Sequence, residues 1–218
     1  MTKFKNKYRS ESHRHPNWDY SANALYFLTI VTQHRICNLG KIENGEMILS
    51  DYGSIVEAEW CKSFDIRKDL FLDEFIMMPN HLHAIVEINN SVAARDVAVR
   101  NMNLHDVDTR EVDTREVDTP SVDTNEHPRQ AIKRNPPVRL PESISSFIAG
   151  FKSSVNSKID DYIDEKQLKI PKYNRNNHFF LPNYHDHIVR DEREYQMIKN
   201  YIVNNPLNWE KDTLNNPM

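Results

Sequence analysis

His81 and His83 stand two residues apart in the stretch Met78 to Ile88, MPNHLHAIVEI. The run after Pro79-Asn80 is apolar and predicted to be a strand, where residues i and i+2 face the same side. A stiff element would then present two imidazoles side by side, a geometry suited to gripping one metal ion. Hydrogen-bonded filler histidines would fit the same spacing. Two imidazoles leave a divalent ion short of ligands. The closing stretch REYQMIKNYIVNNPLNW offers Tyr201 and Asn205 at i and i+4, neighbours on one helical face. The Asn205 carbonyl oxygen is a reasonable third ligand for Mg²⁺ or Mn²⁺, leaving positions open for phosphate oxygen and water. A phenol one turn earlier would lie beside that phosphate. With a pKa of about 10 it attacks poorly unless metal or a base helps it. Taken alone, Tyr201, spaced with Tyr195 and Ile198 on the apolar face of a terminal helix, reads as core packing.

These side chains need a frame. Ala24 to Thr32, ALYFLTIVT, is rich in aromatic and β-branched residues and reads as a buried strand. Asn44-Gly45 is a hairpin turn signal between Gly40–Glu43 and Glu46–Leu49. Ser50 can cap a helix running to about Phe64, with Ile55, Val56, Glu59 and Trp60 at helical spacing. Leu70 to Met78 and His81 to Ile88 follow as strand material. A helix from Ser143 puts Ile144, Phe147, Ile148, Phe151, Val155 and Ile159 on one stripe, flanked by Lys152 and Lys158. Phe179 to Arg190, FFLPNYHDHIVR, carries a second His-x-His at His185 and His187 and leads to a last helix. Asp191 is its expected cap, and Pro206 ends it near Asn205. The order favours an α+β sandwich, helices against an antiparallel sheet.

Between these parts the character changes. VDTRE, VDTRE, VDTPS, VDTNE runs from Val107 to Glu126 as four five-residue units. That period fits neither a helix nor a strand face, and few large apolar residues are present to order it. Residues 91–141 are therefore expected to be a disordered repeat insertion and linker inside one domain spanning 1–218. From Arg95 to Glu126 nine acids face four arginines, more than accounting for the chain's net charge of −4, so the remainder is slightly basic. Residues 1–20 form a basic arm carrying Lys3, Lys5, Lys7 and Arg9. Such clusters suit phosphate contacts, and a solvated basic face explains them equally well.

The rest is bland. With 39% hydrophobic and 28% charged residues the chain is globular at the polar end. It has neither an apolar run long enough for a membrane span nor a secretion signal at its start. Cys37 and Cys61 are in no metal or redox spacing and are expected to be buried free thiols in a reducing cytoplasm.

Taken together, MPNHLHAIV resembles the HUH motif (His, bulky hydrophobe, His) of single-tyrosine transposases, and NYIVNNPLNW resembles their nucleophile-bearing helix. FKSSVNSKI, YHDHIVRDEREY and the upstream YFLTIVTQHRICNLGKIENGEMILSDYGSIVEAEW are similar to segments of the REP-associated tyrosine transposases, relatives of the IS200-like enzymes. The likeness spans nearly the whole chain except the repeats; Phe180 stands where many relatives carry Trp. It implies a ferredoxin-like α+β fold, with His81, His83 and Asn205 holding Mg²⁺ or Mn²⁺ and Tyr201 as nucleophile. The implied activity is cleavage and rejoining of single-stranded DNA beside hairpins through a 5′-phosphotyrosine. It also implies a monomer or homodimer, cytoplasmic and nucleoid-associated, of prokaryotic type. Lys3, Lys5, Lys7, Arg9, Lys152 and Lys158 are the expected DNA contacts, and His187 is expected to be structural or DNA-facing. The alternative is a catalytically idle hairpin-binding descendant of such an enzyme. A histidine phosphoesterase fits less well: position 85 is Ile85 where a third alternating histidine would stand, and paired His-x-Thr/Ser motifs are absent.

Overall fold

The computed structural model describes residues 18–91, 140–174 and 176–215, plus the backbone of two short strands, β1 (Lys3–Phe4) and β2 (Lys7–Tyr8), which pair with each other. Residues 92–139, with the four repeats, lie outside the described residues, so the expected insertion does too.

The main elements among the described residues are six further strands and three α-helices. They are β3 (Ala24–Val31), β4 (Gly40–Glu43), β5 (Glu46–Leu49), α1 (Asp51–Ile66), β6 (Leu70–Met78), β7 (His81–Ile88), α2 (Ile144–Glu165), β8 (His185–Val189) and α3 (Glu192–Asn204). A four-stranded antiparallel sheet runs in the order β6-β7-β3-β8. With α1 and α2 this is the β-α-β-β-α-β ferredoxin-like arrangement, an α+β fold as expected. The β4–β5 hairpin and α3 are additions to it.

Local chemistry sets the boundaries. Ser50 accepts from the Gly53 N–H at 3.0 Å and starts α1; Ser143 does the same from Ser146 at 3.2 Å and starts α2. At α3, Asp191 accepts from the Glu194 N–H while Glu194 reaches back to the Arg190 N–H, a variant of the capping box. In the β4–β5 turn Asn44 and Gly45 both have positive φ, 55° and 80°, as the Asn-Gly signal requires.

The segment before α3, which carries no strand signal of its own, forms β8. His185 to Val189 pairs with β3, placing His185 opposite Thr29 and His187 opposite Phe27. Pairing with an already folded strand, not local propensity, makes it a strand.

The two sheet faces are used differently. Tyr26, Leu28 and Ile30 of β3 and Leu82, Ala84, Val86 and Ile88 of β7 join Val56 and Trp60 of α1 and the apolar stripe of α2 in one core. The expected stripe is buried throughout, as is Glu59, hydrogen-bonded to Ser154 across the helices. Phe27, Thr29, His81 and His83 alternate onto the other face, which α3 covers by lying against β6 and β7. The cysteines depart from expectation: both Cys37 and Cys61 are free but exposed. Cys61 lies on the solvent side of α1, next to but not on its buried stripe.

Gly45 is a sharp test of this frame. A Cβ there would meet Leu207 Cδ2 at 2.5 Å in a left-handed backbone. Gly45→Ala is expected to lower stability by roughly 1–2 kcal/mol, read as a shift in the urea midpoint at unchanged slope.

Candidate functional site

The register decides what meets on the α3 side. His83 pairs with Thr29 and His81 with Val31, so both imidazoles rise from the middle of the sheet, beneath α3. Their ring centroids are 4.5 Å apart, and the residues are 0% and 3% exposed.

Asn80 fixes His81. Its side-chain amide donates to the Arg35 and Leu214 carbonyls at 3.1 and 2.7 Å, which turns its oxygen to His81 Nδ1 at 2.8 Å. An amide oxygen only accepts, so Nδ1 carries the proton and Nε2 keeps a lone pair. That Nε2 is buried without a hydrogen-bond partner and lies 3.9 Å from Asp212 Oδ2. The other Asp212 oxygen accepts from the Leu214 N–H at 2.7 Å, which orients the carboxylate.

His83 is held from both ends. Nδ1 is 2.9 Å from Thr29 Oγ1 and Nε2 is 3.1 Å from the Tyr201 hydroxyl. Phe27 stacks on the ring at 5.3 Å. Burial pushes the His81 pKa down to about 3 and that of His83 well below its ordinary value, the latter helped by the neighbouring His81. Both imidazoles are therefore neutral at physiological pH, the form that binds metal.

The phenol reaches this pair from α3. Tyr201 is 47% exposed, so it is not core packing. Desolvation and the Asp212 carboxylate raise its pKa, while a hydrogen bond from the Asn205 side chain opposes them. Asn205 is buried one turn on, and its Oδ1 has no hydrogen-bond partner. Lys199, two residues before Tyr201, approaches Asp73 and Glu74 at the β6 bulge at 3.6 and 3.8 Å, holding α3 against the sheet.

His81, His83 and Asp212 have ligand atoms within 4.8 Å of one another and could hold a metal ion. The donor set fits a divalent cation: two neutral imidazoles, a carboxylate, and the orphaned amide oxygen of Asn205 nearby. Asp212 is the residue that sequence reasoning missed. It lies between two 3-10 turns, Pro206–Lys211 and Thr213–Asn215, with no periodicity to mark it; only its acidity was visible.

The remaining expected residues are placed elsewhere. Lys152 and Lys158 sit on α2, across the sheet from the histidines. Lys152 donates to the carbonyls of Leu181, Pro182 and Asn183, and Lys158 approaches Asp161 at 3.4 Å. The side chains of Lys3, Lys5, Lys7 and Arg9 lie outside the described residues. His187 is 2.7 Å from Glu194 Oε1, a tie between β8 and the α3 cap, while His185 meets the edge of Phe27.

Fold and site thus define a ferredoxin-like α+β protein with a His–His–carboxylate cluster facing a helical tyrosine. The chain belongs to the same family as a Haemophilus influenzae protein described as uncharacterized, to which it is 30% identical over 201 residues, covering 91% of this chain and 88% of the relative. No family model matches it. Among solved structures, a REP-associated tyrosine transposase bound to a REP hairpin is similar at a TM-score of 0.46 and 14% identity, over 92% of this chain and 74% of that one. A Deinococcus radiodurans protein provisionally described as a transposase follows at 0.40 and 13%, over 88% and 97%. At these TM-scores neither bears on the chemistry of the site. Among the described residues no helix is long and apolar enough to cross a membrane.

The depressed histidine pKa values have a sign. Unfolding restores ordinary imidazoles near 6.5, so the unfolded chain binds more protons and stability is lost as pH falls below that value. In chelator-treated protein, the His81 contribution to stability should fall by roughly 2 kcal/mol between about pH 7 and pH 5, with His83 acting in the same direction, and His81→Asn should remove the His81 share. Urea midpoints across that interval check this.

Proposed function

We propose that this protein is a metal-dependent single-strand DNA nuclease and strand transferase acting beside hairpins, with Tyr201 as nucleophile. The observation that carries the reading is the Tyr201 hydroxyl, 3.1 Å from His83 Nε2 yet half exposed to an incoming strand. The resemblance of MPNHLHAIV and NYIVNNPLNW to transposase motifs supports it.

His81 Nε2, His83 Nε2 and Asp212, with Asn205 Oδ1 completing the shell, would hold Mg²⁺ or Mn²⁺. When bound, the cation supplies charge stabilisation for the scissile phosphate and offsets the Asp212 charge that adds to desolvation in raising the phenol's pKa. His83 Nε2 has one lone pair, so ligation and the Tyr201 hydrogen bond are alternative uses of it. Thr29 then fixes the working tautomer by accepting from Nδ1–H. Asn205 donates to the phenol oxygen and holds it in place once His83 is otherwise engaged.

The phenol oxygen attacks phosphorus, its proton leaves, and the bond to the 3′ oxygen breaks with that oxygen taking up a proton. A 5′-phosphotyrosine and a free 3′ hydroxyl result. One phosphodiester replaces another, so rejoining needs no ATP. The basic arm residues Lys3, Lys5, Lys7 and Arg9 would add sequence-independent attraction for a flexible backbone.

The test is incubation with stem-loop single strands and Mn²⁺ or Mg²⁺. A covalent protein–DNA adduct is expected with the native protein and none with Tyr201→Phe, which should bind Mn²⁺ at least as tightly by calorimetry because His83 Nε2 is released. An adduct that persists in Tyr201→Phe overturns the nucleophile; tight binding without any adduct leaves an idle hairpin-binding protein. Asp212→Asn and His81→Ala should each weaken Mn²⁺ binding by about 10- to 100-fold, a range seen for losses around metal sites; unchanged affinity would remove that residue from the shell.

A further inference from the structure

Beside the histidines a cleft opens between the β4–β5 hairpin and the 3-10 turn that follows α3. It is lined by Ile42, Asn44, Gly45, Pro206, Leu207, Trp209 and Glu210 and has a volume of about 350 Å³. That lies at the small end of the roughly 300–1,000 Å³ typical of ligand sites, room for one planar base and not for a duplex. The Trp209 and His81 ring centroids are 6.1 Å apart. Trp209 therefore lines the cleft and also stands near His81.

We propose that this cleft receives one unpaired nucleobase of the DNA strand, next to the phosphate held at the histidines, with Trp209 as its stacking platform. The proposal rests on the phosphoryl-transfer reading above and adds the contact that sets which phosphate is presented.

Three features favour a base over other occupants. An indole plane binds any base by its π-face, and Ile42, Pro206 and Leu207 supply apolar walls. The rim carries only Asn44 and Glu210 as polar side chains, an amide and a carboxylate that suit the edge of an amino-bearing base. The carboxylate repels phosphate, so the backbone stays at the metal site and the base turns inward. Trp209 is also anchored: its carbonyl accepts from the Asp212 N–H at 3.1 Å and from the Asn215 amide at 3.1 Å. The platform and the Asp212 carboxylate are thus built from the same turn. Gly45 keeps the opposite lip low enough for Leu207 to lie across it.

The experiment uses the full chain and a fluorescent stem-loop oligonucleotide with mixed-sequence single-stranded tails, its binding read by anisotropy in Mn²⁺. Each tail position is replaced in turn by an abasic nucleotide, and adduct formation is scored in the same reactions. For the native protein, one abasic position near the stem should weaken binding. Trp209→Ala should weaken binding of the intact oligonucleotide by roughly 5- to 150-fold, the loss of one stacked base, and erase the abasic effect. Trp209→Phe should stay within a few-fold and keep it. Leu207→Glu, a change at a residue 72% exposed, should weaken binding with thermal stability unchanged. If Trp209→Ala binds like the native protein, or the abasic profile is the same in both, the cleft holds no base even though adducts form. If the native protein forms no adduct but the abasic position and Trp209 remain coupled, the phosphoryl-transfer reading falls and the base site stands. Native protein that binds no single strand overturns both.

Discussion

The orientation of one side-chain amide organises the whole site. Asn80 has two donors and one acceptor, and both donors are taken by main-chain carbonyls from distant parts of the chain, Arg35 and Leu214. The oxygen has only His81 Nδ1 to face. That single constraint selects the tautomer in which His81 Nε2 is an acceptor, and it draws the C-terminal turn over the sheet so that Asp212 stands opposite that nitrogen. Without it the imidazole would be one more buried ring, and the carboxylate would be on a tail.

The sheet and α3 supply the second half of the arrangement. Burial keeps both histidines uncharged and so leaves their lone pairs for a cation or a hydrogen-bond donor. On His83 that donor is the phenol of Tyr201. The helix carrying it is held by the Asp191–Glu194 cap, the His187 tie and Lys199 at the β6 bulge, three contacts that together set its rotation. Tyr201 is therefore presented, half exposed, over a buried imidazole. A solvent-facing phenol elsewhere on α3 would have no acceptor that benefits from it.

Much of this was legible in the chain. Ser50, Ser143 and Asp191 mark the starts of all three helices because a side-chain oxygen beside unpaired N–H groups is a local matter. Asn44-Gly45 announces the hairpin because its backbone must turn left-handed. The His81–His83 pair shares a face because strand period is a local property. Burial of Cys61 was misjudged because apolarity says nothing about which side of α1 meets the sheet, and that of Cys37 because it lies in the connection before β4, outside the packed elements. The segment His185 to Val189 gave no strand signal because its partner, β3, lies far away in sequence. Asp212 was unreadable for the same reason: the side chains of Arg35 and Asn80, the latter 132 positions earlier, tie its turn to the sheet.

What the sequence by itself determined, then, is the set of elements and the spacing of the chemistry within each, since periods, caps and turns act over a few residues. Which imidazole nitrogen is free, that a carboxylate faces it, and that a phenol from the last helix meets the other ring were decided by the tertiary structure alone. These depend on strand register and on long-range amide contacts, which join residues that no local pattern connects.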